Sequence, residues 1–178
     1  MSDNTISINR APVLTLWGVV VMERLGYDHD EALTLGKAMA CLNAQAKGRS
    51  LGVFGPPKAH EPDGKPKKRG LCEEFWVDVC GRPVPCKHTE AGTRAVVKDK
   101  PIDAASVEKY LQTKLGEDLP CVQAAFTELA AAYAPEQLAE VAYHLYERFR
   151  PQIASGQKGW GQKGDLDLGL VRSLAEKA

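Results

Sequence analysis

The run Pro12-Val13-Leu14-Thr15-Leu16-Trp17-Gly18-Val19-Val20-Val21-Met22 holds one hydroxyl and no charge. It is far shorter than the roughly 20 apolar residues that cross a bilayer. It also lacks the small-residue cleavage site of a secretory leader, because Glu23 and Arg24 follow at once. A chain carrying such a run must build protein around it. Pro12 suits a first helical turn, and Leu14, Trp17, Val21 and Leu25 then share one stripe with Val13, Leu16 and Val20 beside it. The expectation is a helix from Pro12 to Leu25, covered on most sides and stopped by Gly26.

The remaining elements follow from their punctuation. Residues 1–9 are polar and read as loose. Asp28 and Glu31 form a helix-start signal, and Leu35, Met39, Leu42 and Ala46 recur at helical spacing, so a second helix is expected over Asp30 to Ala46. The small residues Ala38 and Cys41 on it suit a close helix pair. From 55 to 70 prolines and glycines dominate, which predicts a mobile internal loop. Phe75 to Cys80, Val84 to His88 and Arg94 to Lys98 read as three short strands, with Gly81-Arg82-Pro83 and Thr89 to Thr93 as turns. Asp103, Pro120 and Pro135 each open a helix, Gly116 and Pro151 close two of them, and Asp165 or Asp167 starts a last one after a glycine-rich loop at 156–164. The fold class is thus α+β, mainly α: an N-terminal helix pair, a small three-stranded antiparallel meander and a C-terminal helical bundle, in one domain over 1–178.

Charge is balanced over the whole chain, 23 basic against 23 acidic side chains, so net charge points to no partner. Its distribution does. Lys47, Arg49, Lys58, Lys65, Lys67, Lys68 and Arg69 face only Glu61 and Asp63 between residues 47 and 69. Arg82, Lys87 and Arg94 follow on the hairpin. Mobile cations at a rim are what phosphate contact requires, since each neutralised phosphate releases counterions.

Ala32, Gly36 and Leu42 have the spacing of a helix-turn-helix, and Gly36 is the residue at which that motif would turn. In element order, helices followed by a twisted hairpin, the chain resembles a winged helix-turn-helix protein, which implies a wing touching the phosphate backbone. The weighed alternative for Ala32 to Leu42 is one continuous core helix. Gly159-Trp160-Gly161-Gln162-Lys163-Gly164 has the letters of a dinucleotide fingerprint without its βαβ setting, and Trp160 reads as an anchor to the core. Cys72, Cys80, Cys86 and His88 lack a paired zinc knuckle, and Cys86 with His88 lacks an orienting group for nucleophilic catalysis. Glu140, His144 and Glu147 share a helix side and read as a solvated face.

The sequence therefore predicts a non-enzymatic nucleic-acid-binding or regulatory protein. It contacts phosphates through Lys47, Arg49, Lys65, Lys67, Lys68, Arg69, Arg82, Lys87 and Arg94, with duplex DNA or another nucleic acid as partner. No cofactor, metal or membrane is expected. The alternative is a protein-interaction or scaffold module whose helical bundle pairs with itself or another chain. Five cysteines, odd in number and set among apolar neighbours, suit a reducing cytoplasm.

Overall fold

The computed structural model describes residues 5–50, 74–80, 82–90, 92–97, 100–151 and 163–177, and side chains for these except at 43–50, 74, 82 and 163. The chain is mainly helical with a small antiparallel sheet. In order it forms β1 (Thr5–Asn9), α1 (Arg10–Arg24), α2 (His29–Ser50), β2 (Glu74–Val79), β3 (Arg82–Thr89), β4 (Gly92–Val97), β5 (Lys100–Pro101), α3 (Ala104–Leu115), α4 (Leu119–Ala131), α5 (Pro135–Phe149), β6 (Lys163–Asp167) and α6 (Leu168–Glu176).

Every residue from Pro12 to Met22 is buried, as the uninterrupted apolar run demands. α1 is enclosed by β1 and by α2, α3, α4 and α5. It is held to α5 and its flanks by three side-chain donors seven residues apart, which therefore lie along one face of the helix. Arg10 Nε donates to Pro151 O at 2.9 Å, Trp17 Nε1 to Ala142 O at 2.8 Å, and Arg24 Nη2 to Tyr133 O at 3.1 Å. The acceptors run backwards along the chain, so α1 and α5 are antiparallel. Trp17 is fully buried and meets the edges of Phe126 and Phe149, with centroids 5.6 and 5.3 Å away and ring planes near perpendicular.

α2 lies against α1 at a glycine contact. A Cβ on Gly36 would sit 2.6 Å from Thr15 O and 2.9 Å from Val19 N, both backbone atoms of α1. α2 also packs on the sheet. Thr34, fully buried, donates its hydroxyl to Glu31 O at 2.9 Å and accepts the Ala95 N–H of β4 at 3.1 Å. A buried amide that the ladder does not serve is thereby satisfied.

Several boundaries differ from the sequence expectation. α2 is one unbroken helix through Gly36, so the helix-turn-helix spacing of Ala32, Gly36 and Leu42 does not mark a turn; the glycine serves close packing instead. Residues 5–9 are not loose: they form β1, which pairs with β6 from Thr5↔Asp167 to Asn9↔Lys163. The turn between β2 and β3 begins at Cys80, at φ +50, one residue before the expected Gly81. A two-residue β5 extends the sheet to the order β2-β3-β4-β5. The internal loop expected at 55–70 lies outside the described residues. Among those described, no helix is long and apolar enough to cross a membrane.

The caps agree with the punctuation. Asp103 accepts Ala105 N–H at 3.2 Å to open α3, Gly116 closes it at φ +54, and Pro120 and Pro135 sit in the first turns of α4 and α5. Of the two candidates for the last helix, Asp167 caps α6, accepting Gly169 N–H at 2.9 Å and Leu170 N–H at 3.3 Å.

Replacing Gly36 by alanine should destabilise the protein by about 1–3 kcal/mol. Alanine gains about 1 kcal/mol of helix propensity, but a backbone clash has no rotamer to relieve it. Gly18→Ala meets chiefly the flexible end of Met39 at 2.8 Å and should cost less. Urea unfolding of both variants checks the order. Thr34→Val, of similar shape, should cost about 1–3 kcal/mol by orphaning the Ala95 amide.

Candidate nucleic-acid interface

The sheet offers two unlike faces. In β2, Phe75, Val77 and Val79 turn toward the helices, and this alternation sends Trp76 and Asp78 outward. Trp76 is 50% exposed. Its cross-strand partner is Pro85. The register that pairs Cys86 with Ala95 and Val96 with Pro101 carries that row across all four strands, Trp76, Pro85, Val96 and Pro101. Val96 is buried yet stands apart from the main core cluster. On the outer face that row is an apolar stripe interrupted by the buried Val96, beside the cross-strand pair Lys87 and Arg94.

The sequence-predicted contact residues divide sharply. Lys65, Lys67, Lys68 and Arg69 lie outside the described residues. Lys47 and Arg49 belong to the last turns of α2, and Arg82 opens β3, with only their backbones described. Lys87 and Arg94 are brought together as a cross-strand pair. Lys87 is half-buried. Arg94 is drawn inward: its side chain is 11% exposed, one guanidinium nitrogen donates to Thr93 O at 2.9 Å, and another lies 3.9 Å from Asp30 of α2. Arg94 therefore ties the sheet to α2, while Lys87 borders the outer stripe. Lys37, at the position where a helix-turn-helix would pack inward, lies 3.6 Å over the Tyr110 ring of α3.

The other motifs resolve into structure. Cys80 and Cys86 are buried, and burial pushes the Cys80 thiol up to about 12. The Cys86 thiol points to Val84 O at 3.5 Å, whereas His88 stacks on Phe75 at 4.5 Å and contacts the Thr93 hydroxyl at 3.2 Å. Cys72 lies outside the described residues, as do Gly159 to Gln162. Gly164 is buried in β6 opposite Ile8. Glu140, His144 and Glu147 are all exposed on α5. Among the described residues no group of His, Cys, Asp and Glu is arranged to hold a metal ion.

Trp76 is the residue that the sequence reading left unused. Its signal was present, because alternation with Phe75, Val77 and Val79 already turned it away from the core. The chain matches no protein-family profile, no curated protein and no solved structure.

One titratable cluster joins three helices. His29, opening α2, bonds Glu23 of α1 through Nδ1, and its Nε2 lies 3.9 Å from Glu108 of α3. The Glu23 hydrogen bond raises the imidazole pKa above its ordinary value; burial opposes this, and the charges of Glu23, Glu108 and Asp30 reinforce it. A pKa raised by folding gives stability that is full below the unfolded value of about 6.5 and lost as pH rises through the folded one. Urea midpoints of wild type and His29→Asn should therefore stand furthest apart below pH of about 6.5 and converge in alkali. A gap independent of pH would show that the imidazole acts only as a neutral group.

Proposed function

We propose that the protein is a non-enzymatic nucleic-acid-binding protein that contacts the sugar-phosphate backbone through the basic run Lys47 to Arg69 and the hairpin that follows it. One observation carries this reading: seven basic against two acidic side chains are concentrated in 23 of 178 residues of a chain that is otherwise neutral or slightly acidic. The run leaves the end of α2 and re-enters at β2, an edge strand, so both ends are tethered to the folded part.

The reading contains no recognition helix. α1 is enclosed, and α2 passes unbroken along it, so neither is offered to a groove as a helix-turn-helix requires. Contact is to phosphates, through Lys47, Arg49, Lys65, Lys67, Lys68, Arg69, Arg82 and Lys87. Arg94 contributes to the local field while held against α2. Affinity without base readout depends steeply on salt and little on sequence. Among the described residues Cys41, Cys80, Cys86 and Cys121 are in no disulfide, which suits a reducing cytoplasmic setting.

A second reading, a protein-interaction module without nucleic acid, draws on the exposed face of α4, where Pro120, Ala124, Thr127 and Ala131 line a shallow groove. Light scattering that shows a stable oligomer, together with absent oligonucleotide binding, selects it.

Fluorescence anisotropy with a labelled oligonucleotide at about 50 and about 200 mM salt tests the first reading. Binding should weaken by orders of magnitude between the two conditions. Replacing Lys65, Lys67, Lys68 and Arg69 together by glutamine should lower both the affinity and the salt slope. Binding that ignores salt, or none at the lower concentration, contradicts it.

A further inference from the structure

We infer that the end of the helical bundle where α1 begins and α5 stops binds a phosphate group, held by the Arg10 guanidinium and the Tyr146 hydroxyl with Arg150 beside them. α1 and α5 are antiparallel, so the first residue of one meets the end of the other, and Arg10 Nε is tied to Pro151 O at 2.9 Å. Tyr143, Tyr146 and Arg150 stand at i, i+3 and i+7 along α5 and its C-cap, hence on one side of that helix. The Tyr143 and Tyr146 ring centroids are 5.9 Å apart. α1 carries no acidic side chain in its first turn, so its amide end adds to the positive potential there.

The cluster gathers donors and lacks an acceptor. Arg10 lies within electrostatic reach of Arg150, Tyr146 and Tyr143 and, among the described residues, of no carboxylate. Its Nε is committed to Pro151 O, while Nη1 and Nη2 bond to none of the described residues. Tyr146 is 1% exposed and its ring meets the Phe149 ring edge-on at 5.8 Å. Buried hydroxyls are ordinarily hydrogen-bonded. That of Tyr146 has no such partner among the described residues, and Arg10 and Arg150 are the cations that act on it. Guanidinium groups offer no acceptor, so neither can take its proton in a hydrogen bond. The carbonyl end of α5 accounts for the Nε bond, since a cation there complements the helix dipole. It leaves the rest of the Arg10 fork and the Tyr146 hydroxyl unused. Tyr143 and Arg150 have further interactions of their own, so the donors to spare are those of Arg10 and Tyr146. A carboxylate has two oxygens and is filled by one guanidinium fork; a phosphate group has oxygens left for the hydroxyl and for Arg150.

Full-length wild type, Arg10→Lys and Tyr146→Phe are titrated with inorganic phosphate by calorimetry at fixed ionic strength, with thermal melts in phosphate-free buffer to confirm folding. Tyr146→Phe is the cleaner variant, because it keeps the ring and deletes a hydroxyl that bonds nothing within the described protein. It should melt no lower than wild type. Phosphate should bind wild type saturably, and Tyr146→Phe should weaken it by about tenfold or more, as expected for one lost hydrogen bond to a charged group. Arg10→Lys keeps the charge without the fork and should weaken it as well. The same proteins titrated with an oligonucleotide identify the source of the group. A parallel loss makes the ligand a nucleic-acid phosphate; unchanged oligonucleotide affinity, or none, makes it free phosphate and leaves the site standing apart from the reading above. Phosphate that fails to saturate wild type below about 10 mM, or that binds wild type and Tyr146→Phe equally, overturns the inference.

Discussion

Enclosure of α1 is the constraint on which the rest of the structure depends. Its buried stretch from Pro12 to Met22 has no polar face to give to water, so its neighbours must surround it. The polar donors on α1 sit where they can reach carbonyls. Arg10 and Arg24 mark its ends and Trp17 its middle, and all three bind along α5 or its flanks. Apolar contact is non-directional, whereas these bonds fix the axial register of the two helices. The two chain ends follow from the same arrangement, since β1 leads directly into α1 and pairs with β6 ahead of α6.

The second constraint is the approach of α2. Gly18 and Gly36 allow the two backbones within a distance that a methyl group forbids, and Thr34 then reaches the Ala95 amide of β4. A residue that suggested a turn in a recognition motif is instead the point of closest contact in the core. With α1 enclosed and α2 committed to α1 and the sheet, neither is presented as a recognition helix. Arg94 is committed in the same way, since its partner Asp30 belongs to α2.

Much of this was legible in sequence because it depends on short-range chemistry. Proline at a first helical turn, aspartate at a cap and glycine after a last turn act within four residues, so Asp103, Gly116, Pro120 and Pro135 could be assigned directly. The burial of α1 was legible because a run with no polar side fits nowhere else. The β1–β6 pair was not, because its partners are about 160 residues apart and each strand alone is a short, largely polar segment, with Ile6 and Ile8 the apolar side chains of β1 and Leu166 that of β6. Gly36 was ambiguous for a related reason. Glycine gives the same letter to a turn and to a close approach, and only the presence of Thr15 and Val19 opposite it decides. In the basic region, charge segregation was visible and Arg94's contact with Asp30 was not, because Asp30 lies on another element.

Nucleic acid is proposed to meet the basic run from Lys47 to Arg69 and the hairpin after it, while the α1–α2 contact around Gly36 remains interior. Backbone amide shifts of isotopically labelled protein during titration with a short oligonucleotide test it most directly. Perturbations should gather at residues 47–69, Arg82 and Lys87, with Ala32 to Leu42 unmoved. Perturbations concentrated on Ala32 to Leu42 would contradict it.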